Sequence, residues 1–343
     1  MLSRSFALRL ELELGEVPIT GHLTDAHGVC TPFAGWIQLV ALIEQAGDPA
    51  TTDDAARAAP TPKEAPLKRT TALLTGLIAG LATSAATAPA APIATSAGLP
   101  TLTLAMNGKS IHVSGSMKAG AVIVVAKTSR EEQSSPPLVK LARKVSFAQA
   151  FRQVAAHGGD TNYLDGHATI TYNTANSAGT GRAQTVLTPG RWVALDSVNN
   201  NPATWPRASF TVSRSGHPAS LPKPAATVKM IEFGFTGPST WHEGELIRFQ
   251  NAGFLAHMAV AAQAKDEQDA QTLSALLLAG QDNQAQKLAT GFATFVGTAS
   301  AGAVQQQRVT AAPGIYVLAC FMDTQDHREH TRLGMERIIR IVP

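Results

Sequence analysis

Residues 320–335 read CFMDTQDHREHTRLGM and gather one cysteine, two histidines and two methionines into a single short stretch. A thiolate, two imidazoles and a weak axial thioether are the donor set of a type 1 copper centre, which needs them held rigidly enough for Cu(I) and Cu(II) to share one geometry. Cys320, His330 and Met335 stand here as C-x9-H-x4-M, so the remaining imidazole must come from a distant strand. IRFQNAGFLAHMAV offers His257, just after an Asn-x-Gly turn and at the start of a strand beginning His-Met-Ala-Val. His327, at C-x6-H, is a rival for the second imidazole but lacks the H-x4-M continuation. Simpler readings stand beside this one. A cysteine at a strand end is often a buried small hydrophobe, a loop rich in His, Asp and Glu is often a solvated turn, and Met335 could be core filling. Asp323, Asp326, Glu329 and Glu336 surround the loop, but their spacing matches no oxygen-ligand motif. His112, His157, His167, His217 and His242 are scattered without ligand spacing.

The elements that must position these side chains are legible as alternating strands. In PGIYVLAC, Tyr316, Leu318 and Cys320 share one face, so the sulfur can point into the top of a sandwich. The same turn and strand occur earlier as PGRWVALD, ending at Asp196. Each is followed by a polar loop and a closing strand, ASFTVS and RIIRIVP, and each is preceded by a helical stretch, VSFAQAFRQVAAHGG and DEQDAQTLSALLLAG. Short alternating runs such as TLTLAM, AVIVVA and LIRFQN, with turn residues between them, indicate antiparallel sandwiches. The repeated order indicates a duplicated domain. We therefore expect an all-β chain of two tandem Greek-key β-sandwiches, each with a helical insertion, over residues 98–212 and 227–343. SRSGHPASLPKPAA, residues 213–226, reads as a Pro-rich linker between them. In the first copy Asp196 takes the cysteine's place, Val122 falls about where the first histidine would be, and SVNNNPATWPRA has neither His nor Met. It reads as a metal-free copy serving packing or partner contacts.

The second half resembles the cupredoxins, the plastocyanin/azurin-like proteins, in RFQNAGFLAH before a first histidine and in PGIYVLAC before a loop that carries the other ligands. The resemblance covers residues 225–343 by motif and 98–214 by architecture. It implies the ligands His257, Cys320, His330 and Met335, a copper cofactor and a redox partner protein. It also implies an electron carrier or copper holder rather than an enzyme: no second set of His-x-His copper ligands, G-x-S-x-G, H-E-x-x-H or phosphate loop is present. Two features depart from the pattern. Nine residues separate Cys320 from His330 where small blue copper proteins have two to four, a length closer to that of copper nitrite reductases. Met258 also stands where the family often has an asparagine that braces the ligand loops. The competing reading is a metal-free extracellular binding or structural module in which Cys320 is simply buried.

The N-terminal third reads differently. LKRTTALLTGLIAGLATSAATAPA has two basic residues, an apolar run over 72–82 and then small residues, the layout of an export signal, and Ala86-Thr87-Ala88 fits a cleavage rule. The run is too short to span a bilayer, for which about twenty residues are needed. We expect a secreted or extracytoplasmic product, with the membrane involved only through an uncleaved signal segment at 67–97. Ahead of it, residues 1–47 read as a small ββα segment and 48–66 as a linker, either a fused cytoplasmic domain or a start placed too far upstream. The alternation of SFALRLELEL predicts a strand, EVPITGHLTD its hairpin partner, and Trp36, Leu39, Val40 and Ile43 one face of a helix. With 28 Lys+Arg against 25 Asp+Glu and no basic run interleaved with aromatics, nothing favours nucleic acid. Two cysteines, Cys30 and Cys320, rule out a disulfide scaffold.

Overall fold

The computed structural model describes residues 9–13, 20–24, 28–34, 98–128, 136–157, 160–174, 179–197 and 204–343. The expected export segment, the 48–66 linker and the helix through Trp36 and Ile43 lie outside them. Among the described residues no helix is long and apolar enough to cross a membrane. The chain divides into two compact units, Met1–Thr70 and Thr71–Pro343.

In the first unit β1 (Arg9–Glu13), β2 (Thr20–Thr24) and β3 (Cys30–Ala34) form an antiparallel sheet in chain order. The β1–β2 hairpin is the expected one, with Arg9 opposite Thr24. β3 is a strand that the ββα reading lacked. Its Pro32 argues against a central strand, and β3 lies at the sheet edge, where a missing N–H costs no ladder bond.

The second unit holds the repeat. Its first copy runs β4 (Thr101–Met106), β5 (Ile111–Gly115), β6 (Gly120–Thr128), β7 (Leu138–Leu141), β8 (Ala168–Tyr172), β9 (Gly179–Leu187), β10 (Gly190–Leu195) and β11 (Arg207–Val212), with α1 (Phe147–Ala156) between β7 and β8. Its second runs β12 (Ala226–Ile231), β13 (Gly234–Thr236), β14 (Thr240–His242), β15 (Leu246–Asn251), β16 (His257–Ala264), β17 (Gly291–Ala299), β18 (Val304–Arg308), β19 (Gly314–Ala319) and β20 (Glu336–Val342). Here α2 (Glu267–Leu278) and α3 (Asp282–Leu288) occupy the connection from β16 to β17. Strand order is the same in both: β5-β4-β6-β9 matches β13-β12-β15-β18, and β11-β10-β7-β8 matches β20-β19-β16-β17, to which β14 is added. Even the parallel pairs coincide, β4 with β6 and β12 with β15. The aromatic after each Pro-Gly turn also has one job in both copies. Trp192 Nε1 donates to Thr188 O at 2.9 Å and Tyr316 OH to Ala312 O at 2.8 Å, each pinning the carbonyl four residues back.

This topology corrects one alignment. Val122 lies on β6, the counterpart of β15, whereas His257 opens β16, whose counterpart is β7. Counting along the sequence failed because the two copies have strands and turns of different lengths. Asp196 does follow β10 as Cys320 follows β19, and both are fully buried. Asp196 N–H donates to Pro206 O, as Cys320 N–H donates to Met335 O.

The strands beneath the helices are buried on both faces, as in sheets covered by crossover elements. In β19, Tyr316 and Leu318, followed by Cys320, enter the sandwich core, while Val317 and Ala319 pack under α2 and α3. A capping box between Ser146 and Gln149 starts α1, and Asp266 caps α2. In the second core Trp241 stands edge-on to Phe249 and Phe295, with centroids 5.9 and 5.1 Å away. Burying each ring contributes roughly 1.5–3 kcal/mol.

The two sandwiches are not beads on a spacer. β18 pairs with β9 through Gln305 opposite Thr185 and Gln306 opposite Gln184, fusing one sheet of each copy into a single eight-stranded sheet. Residues 213–226 are a strap along this body. Ser213 O and Ala219 O accept from Ala119 and Ala121 N–H at 2.9 and 2.8 Å. Pro222 O accepts from Arg248 Nη2 and Gln306 Nε2 at 3.1 and 3.2 Å. Composition suggested a spacer because prolines lack donors, but the segment's carbonyls, Pro222 O among them, satisfy donors beside them.

Candidate metal centre

β19 delivers Cys320. It follows the strand directly on its inward face, is fully buried, and its N–H donates to Met335 O at 3.2 Å. The long C-x9-H loop resolves into an excursion that returns to its origin. Asp323 and Glu329 form an antiparallel bridge. Inside it Thr324 N–H donates to Arg328 O at 2.9 Å, and Arg328 N–H to Thr324 Oγ1 at 3.0 Å. His327 sits at the tip, exposed and left-handed at φ 61°. The strand then runs back until His330 N–H donates to Met322 O at 2.8 Å, which sets its ring beside the cysteine. Of the two candidate imidazoles, the structure places His330 next to Cys320 and His327 away from it.

A 3-10 turn over His330–Leu333 follows and ends at Gly334, whose φ of 100° a side chain would resist. That reversal lets Met335 N–H donate to His330 O at 2.9 Å and leaves the Met335 side chain fully buried in the core cluster that contains Cys320. The H-x4-M spacing is therefore one short turn plus one left-handed residue.

His257 is aimed by the turn before it. Asn251 is fully buried, and its Nδ2 donates to Leu255 O and Ala299 O at 2.7 and 2.9 Å while its Oδ1 accepts from Gly253 N–H at 3.0 Å. Register shifts between His257, Ala259 and Val260 mark a bulge at the start of β16, a common way of re-aiming a side chain. At the bulge Met258 N–H donates to Cys320 Sγ at 3.3 Å.

His257 Nδ1 and His330 Nδ1 lie 3.2 Å apart, with Cys320 Sγ at 3.8 Å from the first and 3.4 Å from the second. Among the described residues this is the group that could hold a metal ion, and each of its members is buried. An ion with bonds of about 2.0 Å to nitrogen and 2.3 Å to sulfur in a trigonal plane would separate its donors by roughly 3.5–3.8 Å, close to what is seen. On the far side of the His257 ring, Nε2 meets Glu232 Oε1 at 3.0 Å. Donation to that carboxylate leaves the lone pair on Nδ1, facing the cluster. His330 Nε2 is buried with no hydrogen-bond partner. If Nδ1 carried the His330 proton, it could serve one neighbour only; if Nε2 carried it, two lone pairs would face each other. A cation between the three atoms accepts every lone pair at once, so the donor set fits a metal.

Electrostatics agree with that fit. Burial pushes the Cys320 thiol up to about 12, against the opposing hydrogen bonds from Met258 and Met322. Burial, helped by His257, holds His330 down at about 3, keeping it neutral. Neutral imidazoles are what a metal requires, and a coordinating thiol is deprotonated by the ion itself. Burial alone would raise the Glu232 carboxyl, but hydrogen bonds from His257, Leu255 and Phe254 outweigh it and hold Glu232 below the usual glutamate value. A Cβ at Gly253 would overlap that carboxylate, which accounts for glycine there.

Glu232 was not among the carboxylates that the sequence nominates, because it lies at the end of the apolar strand β12 with no local spacing to mark it. Glu232→Leu is expected to weaken copper retention by roughly 10–100-fold, the usual effect of losing such an outer partner, with Glu232→Gln in between. Competition against a chelator measures both. Wild-type retention in Glu232→Leu would show that the carboxylate does not orient the ring.

A scan against family models and a search of curated proteins find no match. Among solved structures the chain is similar to the dithionite-reduced auracyanin from the photosynthetic bacterium Roseiflexus castenholzii, at 15% identity over 34% of this chain and 95% of that one, with a TM-score of 0.22. It is also similar to the Cu-containing nitrite reductase of Thermus scotoductus SA-01, at 10% identity over 71% and 68%, TM-score 0.20. The copper nitrite reductase of Nitrosomonas europaea gives 11% identity over 71% and 92%, TM-score 0.19. At such values the likeness carries nothing about function. The chain's own strand order, found in both copies, is that of an all-β protein of two tandem sandwiches, with a buried His–Cys–His group at one end of the second.

Proposed function

We propose that the second sandwich binds a single copper ion that His257, Cys320 and His330 would hold, with the buried Met335 as a further sulfur donor, and carries electrons or holds copper outside the cytoplasm. The observation behind this reading is the convergence of two Nδ1 atoms and one sulfur in a buried pocket, with the outer nitrogen of His257 tied to a carboxylate. When bound, the ion would supply a one-electron couple strongly mixed with the thiolate. The chain's own residues do the rest. Met258 and Met322 N–H groups stabilise the thiolate, Glu232 holds the His257 tautomer, and complete burial of Cys320, His257 and His330 keeps water away. A site already assembled from rigid strands and self-bonded loops has little to rearrange between oxidation states. The extracytoplasmic setting rests on the segment read at 67–97, and N-terminal sequencing of exported protein checks it.

Titrating the purified full chain with Cu(II) should develop an intense visible thiolate-to-copper band that saturates at one equivalent and bleaches on reduction. A colourless protein from which copper is removed by desalting would overturn the proposal in favour of a metal-free binding module.

A further inference from the structure

We propose that the metal-free first sandwich is a working part of the metal site, with Asn162 clamping together the two loops that bear the ligands. This rests on the copper reading above. Asn162 lies in the 3-10 turn Thr161–Leu164 of the first copy, where its own N–H donates to Asp160 Oδ1 at 2.8 Å. Its side chain reaches into the second copy. Asn162 Nδ2 donates to Asp323 O at 3.0 Å, in the loop three residues past Cys320. Asn162 Oδ1 accepts from Ala256 N–H at 2.8 Å, immediately before His257. One planar amide thus uses a donor on one ligand loop and its acceptor on the other, which is what a carboxamide can do and a carboxylate or hydrocarbon cannot.

Those two loops are distant in sequence and carry opposite sides of the site. The sandwich core ties them from beneath through Met258 N–H to Cys320 Sγ, and Asn162 ties them from the first sandwich. The platform holding Asn162 is fixed. Besides the β9–β18 seam, Ser300 N–H donates to Ile170 O and Gly297 N–H to Asn173 O, both at 3.0 Å, while Asn173 N–H donates to Gln305 Oε1 at 3.1 Å. A Cβ at Gly297 would strike the Asn173 side chain, so the two copies are in close contact at this seam. His157 stacks on Tyr163 at 3.6 Å between centroids, which locks the turn that carries Asn162 onto α1. A partly exposed side chain bonding two backbone groups does little for global stability, but a slack loop beside a metal ligand changes affinity and potential, because bonding geometry is short-ranged. Asn162 is thus a positioning residue that the first copy contributes to the second.

The test uses the full chain and three forms, wild type, Asn162→Leu and Asn162→Asp. In Asn162→Leu, copper should transfer to a chelator roughly 10–100-fold faster than in wild type, and the reduction potential should shift, while the unfolding midpoint hardly moves. Without metal, amide exchange at Ala256 should accelerate in Asn162→Leu but stay near wild type in Asn162→Asp, which keeps the acceptor and loses only the donor to Asp323 O. That metal-free arm separates the two proposals. If the wild type binds no copper, the copper reading falls, and Ala256 protection still decides whether the clamp exists. Wild-type chelator kinetics, potential and Ala256 protection in Asn162→Leu would overturn the clamp. If Asn162→Leu does not fold, Asn162→Asp decides: wild-type copper transfer rate and potential there would overturn the bridge to Asp323.

Discussion

Cys320→Ser should abolish the visible band of the copper-loaded protein and leave copper too weakly held to survive desalting. The hydroxyl is nearly isosteric with the thiol but stays protonated in a pocket where even the thiol is pushed up to about 12, so a metal gains no anionic donor. The fold should survive. The substituted atom still faces Met258 N–H, and burying a hydroxyl with one hydrogen-bond donor beside it costs about 1–3 kcal/mol at most. Absorption and copper content after desalting read the site, and thermal unfolding of the metal-free protein reads the fold. A serine variant that keeps the band would show that the chromophore lies elsewhere in the chain, Cys30 included. A variant that fails to fold would mark the cysteine as a structural residue, which the metal-free reading requires.

Asn251→Ala should give the second large effect, a loss of roughly 3–5 kcal/mol in the unfolding free energy of the metal-free protein. The side chain makes three hydrogen bonds from a fully buried place, and alanine strands Leu255 O and Ala299 O without water to replace it, while Gly253 N–H keeps only its longer bond to Met230 O at 3.2 Å. Each stranded group costs about 1–3 kcal/mol. Urea unfolding measures the loss. Copper retention should fall as well, since this turn hands the chain to β16 and aims His257. Asn251→Asp keeps the acceptor for Gly253 N–H but sets a carboxylate against two carbonyls, so it should be no more stable than alanine. A drop below about 1 kcal/mol in Asn251→Ala would mean that the turn is held by its backbone bonds alone.

These expectations depend on features of unequal visibility in the sequence. The inward face of Tyr316, Leu318 and Cys320 was legible because alternation along a strand is a property of neighbours, whereas the H-x4-M spacing was read only as ligand order and the left-handed turn at Gly334 came with the structure. The duplication was legible from PGRWVALD and PGIYVLAC, whose aromatics perform the same hydrogen bond. The long loop between Cys320 and His330 departs from the short spacing, yet its ends still meet, because its middle folds on itself through Thr324 and Arg328.

Other features carry no local trace. The pairing of β9 with β18, the strap formed by residues 213–226, the Glu232 carboxylate behind His257 and the Asn162 bridge all join groups far apart in the chain. Val122 was misplaced for a related reason: aligning two copies by count assumes equal strands and turns, and only hydrogen-bond register shows which strand answers which. Spacing along a chain encodes what a residue's immediate neighbours do, so donor types, strand faces and turns can be inferred from it. Which distant backbone carbonyl or carboxylate meets a given side chain is settled when the sheets close and buried polar groups must find partners.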